Sequence, residues 1–215
     1  MFTKALWAVA LFGVGFGIEA AGEAQYPLKA LNEGDYAVFA VTQTSTREGA
    51  EEPEAIVENT WRYSVIEKTD EEVTIERTIE WDGAPGDRTE DLRTYPLDRA
   101  ASPALLYDIL FFNDKFEVKE VKVIGTGTGV MYADESDEAE DEDGEKWFWI
   151  SLQVALSAEG GEVAAAKVAA KIFLNREFPF LDVVRIESEQ VVEHTKGGSV
   201  TIVTEMDFIE GGSDE

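Results

Sequence analysis

The sequence predicts a mainly β protein: an antiparallel meander of about nine strands curled into a barrel or half-barrel, with one helix inserted near residues 103–112. Three observations predict it. Period-two alternation dominates after residue 34 and is cleanest in EVTIERTIEW, where Val73, Ile75, Ile79 and Trp81 share one face with Arg77. Thr74, Glu76, Thr78 and Glu80 share the other face, the pattern of a strand with one side buried and one wet. Turn chemistry recurs between the alternating segments, in KTDEE, DGAPGDR, AEGGE and TKGG. The period changes only in SPALLYDILFFND, where Leu105, Leu106, Ile109, Leu110 and Phe112 follow a helical stripe.

Taken in order, the first strand is DYAVFAVTQTS, apolar on both faces and therefore central. The acidic stretch from Arg47 to Glu58, with Pro53, suits an exposed loop. NTWRYSVIE puts Trp61, Tyr63 and Val65 on one face of the second strand, and KTDEE turns it into the third. DGAPGDR leads to a short strand, EDLRTY. The helix follows, with Ser102 as its cap and Pro103 in its first turn.

Strands return with KFEVKEVKVIGTGTGVMYA, whose apolar phase slips between Val118 and Val121, the mark of a bulge. KWFWISLQVALS partners it, with Phe148, Ile150, Leu152, Val154 and Leu156 on one face and Trp147, Trp149, Ser151 and Gln153 on the other. VAAAKVAAKIFLN is a helix by propensity and a strand by context; its hairpin setting and the even spacing of Val168, Ile172 and Leu174 favour a strand. FLDVVRIESEQVVEH, the TKGG turn and SVTIVTEMDFIE form a last hairpin. No composition break or fixed-period repeat divides the chain, so residues 35–210 read as one domain after a 22–34 linker, with a disordered tail at 211–215.

The chain has 215 residues, 44% of them hydrophobic, enough for one well-buried core. Its net charge of −27 argues against phosphate-mediated nucleic-acid binding, which needs clustered Lys and Arg, and against attraction to anionic lipid headgroups. MFTK, the apolar run ALWAVALFGVGFGI and the small residues of EAAGEA read as an export signal over residues 1–21, with cleavage after Ala20, Ala21 or Ala24. The run is short for a membrane span, and an uncleaved anchor is the alternative. The mature product is expected to be soluble, periplasmic or extracellular, without a stable membrane span. There is no cysteine, hence no disulfide, thiolate or zinc–cysteine chemistry.

The acidic hairpin loop at 134–145 carries nine carboxylates in ADESDEAEDEDGE. A helix–loop–helix calcium motif aligned on Gly144 puts Ala139 at the first ligand position and Ile150 at the closing Glu, and both fail. Weak cation binding by Asp137, Glu138, Glu140, Asp141, Glu142 and Asp143, or docking of a basic partner, stands as an alternative to a merely solvated loop.

GTGTG lacks the helix, spacing and Lys of phosphate loops, and no cofactor is called for. Gly125, Gly127 and Gly129 share one strand face, bare backbone open to something bulky. A hairpin symmetric about Ala139 would set Gly129 across from Trp149 and Met131 across from Trp147. Trp61, Tyr63, Gly127, Gly129, Trp147 and Trp149 are therefore the candidate wall of an apolar ligand site. Catalytic residues are scarce: His194, the single histidine, adjoins the TKGG turn, and no serine has a nucleophile-elbow setting. A non-enzyme is expected, with a carboxylate-dependent hydrolase as the alternative, since 45 acidic residues allow many pairs.

The export signal, long meander and inserted helix, with FLNREFPFLDVVRIESE followed by the strand VTIVTEMDF, resemble the periplasmic lipoprotein-carrier half-barrels of the LolA and LppX type and uncharacterised exported bacterial proteins. The resemblance covers the mature chain at the level of pattern. It implies a sheet that shelters acyl chains and no catalytic residues. The chain departs from it in having no early basic helix and in its acidity. The expected role is binding of an apolar small molecule or lipid, or service as an envelope accessory protein.

Overall fold

The computed structural model describes residues 28–81, 88–99, 102–112, 116–131, 145–158, 163–175 and 180–213. In chain order these form β1 (Asp35–Arg47), β2 (Ala55–Lys68), β3 (Glu72–Trp81), β4 (Arg88–Pro96), α1 (Pro103–Phe111), β5 (Glu117–Met131), β6 (Glu145–Ser157), β7 (Val163–Leu174), β8 (Val183–His194) and β9 (Ser199–Ser213). The nine strands make one antiparallel sheet in the order β4-β3-β2-β1-β9-β8-β7-β6-β5. The doubly apolar β1 lies near the middle, where β9 returns to pair with it.

That order places β4 and β5 at opposite edges, and α1 is the segment that joins them. Asp108 of α1 meets Arg93 of β4 at 3.2 Å, Tyr63 of β2 donates to the Leu110 carbonyl, and the helix also packs against β5. A single nine-residue helix reaches both ends of the strand order because the sheet curls around it into an open half-barrel. Local chemistry starts and stops the helix: the Ser102 hydroxyl accepts from the Leu105 N–H at 3.1 Å, and Phe112 turns left-handed with φ 39°. Leu105, Leu106, Tyr107, Ile109 and Leu110 are all buried between these ends.

Strand alternation sorts residues between the inner face, toward α1, and the outer face. Asn59, Trp61, Tyr63 and Val65 of β2 are buried inside, as are Val73 and Ile75 of β3, Leu152 and Val154 of β6, and Ile172 and Ile186 of β7 and β8. Cross-strand register links Trp81, Asn59, Val41, Met206, Ile186, Ile172, Ile150 and Thr126 into one row across eight strands.

The ambiguous segment 163–174 is a strand, bonded to β6 and β8 on its two sides. Its alanines favour a helix only in isolation. In the sheet Ala166, Val168, Ala170, Ile172 and Leu174 all enter the core, and pairing overrides propensity. The expected bulge falls between Val118 and Glu120. The β5–β6 register is offset by two from a hairpin symmetric about Ala139: Gly127 pairs with Trp149, Gly129 with Trp147, and Met131 with Glu145. A slip of two keeps every side chain on its face, so alternation alone does not fix it.

Residues on either side of the 35–210 unit contact it. Within the 22–34 stretch, Leu28 and Leu31 are buried in the core, and the Lys68 ammonium donates to the carbonyls of Lys29, at 2.9 Å, and Leu31. At the other end β9 continues to Ser213, with Gly212 paired to Tyr36. The signal at 1–21 and most of the acidic loop lie outside the described residues.

Candidate functional site

The inner face is organised around Arg77, the cation that sequence alternation placed on the apolar side of β3. Its guanidinium donates from Nη1 to the Phe111 carbonyl at 2.8 Å, and from Nη2 to Asp91 at 2.6 Å and to the Phe112 carbonyl at 3.3 Å. These bonds satisfy carbonyls at the C-terminus of α1, where a cation also suits the helix dipole. The same guanidinium lies 5.0 Å from the Trp61 ring and 5.1 Å from the Phe112 ring. Tyr63 packs edge-on against Phe39 and Phe112, and Phe180, from the β7–β8 connection, lies 5.9 Å from it.

Burial raises the hydroxyls of Tyr63, Tyr95 and Tyr107 well above the ordinary phenol range, because the charged form would have to leave water. Several polar atoms on this side have no partner: both ends of the Asn59 amide, Trp61 Nε1, Arg77 Nε and Tyr95 Oη. Asn59 is 3% exposed and Trp61 6%. Folded proteins leave few such groups unpaired.

The outer face carries the second cluster. The Trp149 indole lies over the bare backbone of β5, where a Cβ at position 127 would come within 2.6 Å of Nε1. Lys171 sits 5.1 Å from the Trp149 ring and 4.6 Å from that of Phe173. Beside them is an open groove of about 360 Å³, lined by Ile124, Ser151, Ala169, Lys171, Glu187 and Val203 among others.

Four of the six sequence-predicted ligand residues, Trp61, Tyr63, Gly127 and Trp149, fall on two faces. Trp61 and Tyr63 are inside, against α1, while Trp149 and Gly127 meet on the outer face. Gly129 and Trp147 are register partners one step further toward the loop. Asp137, Glu138, Glu140, Asp141, Glu142 and Asp143 lie outside the described residues. Among the described residues, no group of three His, Asp or Glu side chains is placed to hold a metal ion. His194 ends β8, its backbone bonded across the TKGG turn to Gly197 and Gly198, both at positive φ.

No protein-family model and no curated protein matches the chain. Among solved structures, it is similar to an S-type phycobiliprotein lyase from Guillardia theta, with a TM-score of 0.35, 5% identity, and coverage of 81% of this chain and 88% of that one. It is also similar to a DUF1329 family protein from Desulfovibrio piger (TM-score 0.24, 11% identity, 89% and 90% covered). A third is a LolA superfamily protein from Nitrosomonas europaea (0.19, 10%, 89% and 92%). Likeness this distant assigns no ligand or reaction, and the site rests on the chain's own residues.

Two inner-face residues gave only a faint signal in the sequence. Asn59 stands two places before Trp61 and so shares its face, a polar residue where alternation calls for an apolar one. Phe112 continues the helical stripe in sequence, but it is the left-handed cap whose ring meets Arg77 and Tyr63.

Proposed function

We propose that the protein is an exported, non-enzymatic binder of an apolar or lipid-like ligand, which it holds against the inner face of the half-barrel. The observation that carries this reading is the nature of the cover. Among the described residues, a continuous apolar face drawn from most strands of a nine-stranded sheet is sheltered by one nine-residue helix, together with Leu28, Leu31, Phe112, Phe180 and Leu181. An acyl chain in place of α1 would bury the same sheet surface, which offsets part of the cost of exposing Leu105, Leu106, Ile109 and Leu110 of the helix. Export rests on the basic, apolar and small-residue pattern of residues 1–24.

The test is uptake of a fluorescent fatty acid or a neutral naphthylamine dye by the full mature chain. Saturable uptake that Trp61→Ala weakens and Trp149→Ala leaves intact supports an inner-face site. Absence of saturable uptake refutes it. Sensitivity to Trp149→Ala alone moves the ligand to the outer groove. Mass spectrometry of the exported protein reads the cleavage site directly.

A further inference from the structure

We infer that the Asn59 amide and the Trp61 indole N–H form a hydrogen-bonding anchor for the carbonyl of an uncharged acyl ester or amide, just beyond the C-terminus of α1. This deepens the reading of the inner face as a ligand surface and rests on it. The two side chains stand at alternate positions of β2 and share its inner face. Asn59 pairs in register with Val41 on one side and Trp81 on the other, and Trp61 with Phe39 and Ile79. Val41, Phe39 and Ile79 offer no side-chain hydrogen bond, and the Trp81 indole makes none to Asn59. Asn59 Nδ2 and Oδ1 and Trp61 Nε1 are accordingly buried without a partner.

Their position gives the site a direction. On the α1 side, Arg77 lies 5.0 Å from the Trp61 ring and holds the Phe111 and Phe112 carbonyls. On the other side, Trp81 is 39% exposed, so the row containing Asn59 leads to solvent at the β3 end. A ligand's polar end can reach Asn59 from this rim, and its chain can follow the row through Val41, Met206 and Ile186, which is buried in the core, by displacing part of the cover that α1 provides.

The donor count selects the head group. Asn59 supplies two N–H donors and one acceptor, and Trp61 supplies one donor. Arg77 Nε adds a further unpartnered donor nearby. Donors outnumber acceptors, which matches a carbonyl oxygen. The charge of Arg77 is already met by Asp91 at 2.6 Å, so no free cation offsets the desolvation of a carboxylate. An ester or amide carbonyl keeps the hydrogen bonds without that cost.

The experiment uses the full mature chain, N-phenyl-1-naphthylamine as an apolar probe without a carbonyl, and methyl decanoate and decanoate as competitors. Methyl decanoate is expected to displace the dye at lower concentration than decanoate at neutral pH. In Asn59→Leu and in Trp61→Phe the affinity for the ester, taken relative to that for the dye in the same variant, should fall by about tenfold. With methyl decanoate carrying a ¹³C-labelled carbonyl, the infrared stretch in the wild-type complex should fall below its value in hexane and return toward it in Asn59→Leu. No dye uptake by the wild-type chain would sink the apolar-binding reading itself. Dye uptake with an ester affinity indifferent to both substitutions, or an unshifted carbonyl stretch, overturns the anchor alone. So does a preference for decanoate over its methyl ester.

Discussion

The indole of Trp149 occupies the space that a side chain at Gly127 would need, so a glycine on an edge strand and a tryptophan on its neighbour form one packed unit on the outer face. Gly127→Ala should therefore force the ring aside and destabilise the protein by about 1–3 kcal/mol. Gly125→Ala should cost less, because its Cβ would meet the far edge of the ring at 3.3 Å. Chemical denaturation of both variants measures the difference, and equal losses would remove Trp149 as the cause.

The Arg77 guanidinium ties β3 and β4 to the end of α1, and only 8% of its side chain is exposed. Arg77→Met should cost about 3 kcal/mol, since Asp91 and two helix carbonyls lose their donor in a shielded place. Denaturation midpoints measure the cost. Arg77→Lys should restore little, because a point ammonium cannot reach three acceptors in a planar fork.

Alkaline pH should unfold the protein through its buried tyrosines. The unfolded chain loses phenolic protons near pH ~10. Tyr63, Tyr95 and Tyr107 keep theirs when folded. The unfolded state then binds fewer protons, so stability that is complete below that pH falls as pH rises above it. Tyr95→Phe has no hydrogen bond to forfeit and should flatten the alkaline loss without weakening the protein at neutral pH. Denaturant midpoints across that range, with and without the substitution, check the sign.

Ser102→Ala removes the acceptor for the Leu105 N–H and should cost about 1 kcal/mol. Ser102→Asp should recover it. Thermal melts of the pair separate capping from packing, because neither substitution touches the buried stripe of α1.

Much of the architecture follows from local chemistry. Alternation in β3 gives its two faces, the doubly apolar β1 declares a central strand, and Ser102, Pro103 and the leucine stripe mark the helix. These were legible because each depends on neighbours a few residues apart. The candidate ligand set was legible only as residue types. Alternation within one strand cannot say which faces of distant strands coincide, and Trp61 and Trp149 proved to lie on opposite sides.

The sequence by itself determined the strand periodicity, the helix ends, the absence of cysteine chemistry and the acidic charge, all set by composition or short-range sterics. Only tertiary structure decided that β7 is a strand, that Trp149 pairs with Gly127 and covers it, and that α1 crosses between opposite sheet edges. It alone left Asn59 and Trp61 buried with unpaired polar groups. The physical reason is that register, face-to-face placement and hydrogen-bond satisfaction are properties of pairs far apart in the chain, fixed only when the sheet curls around the helix.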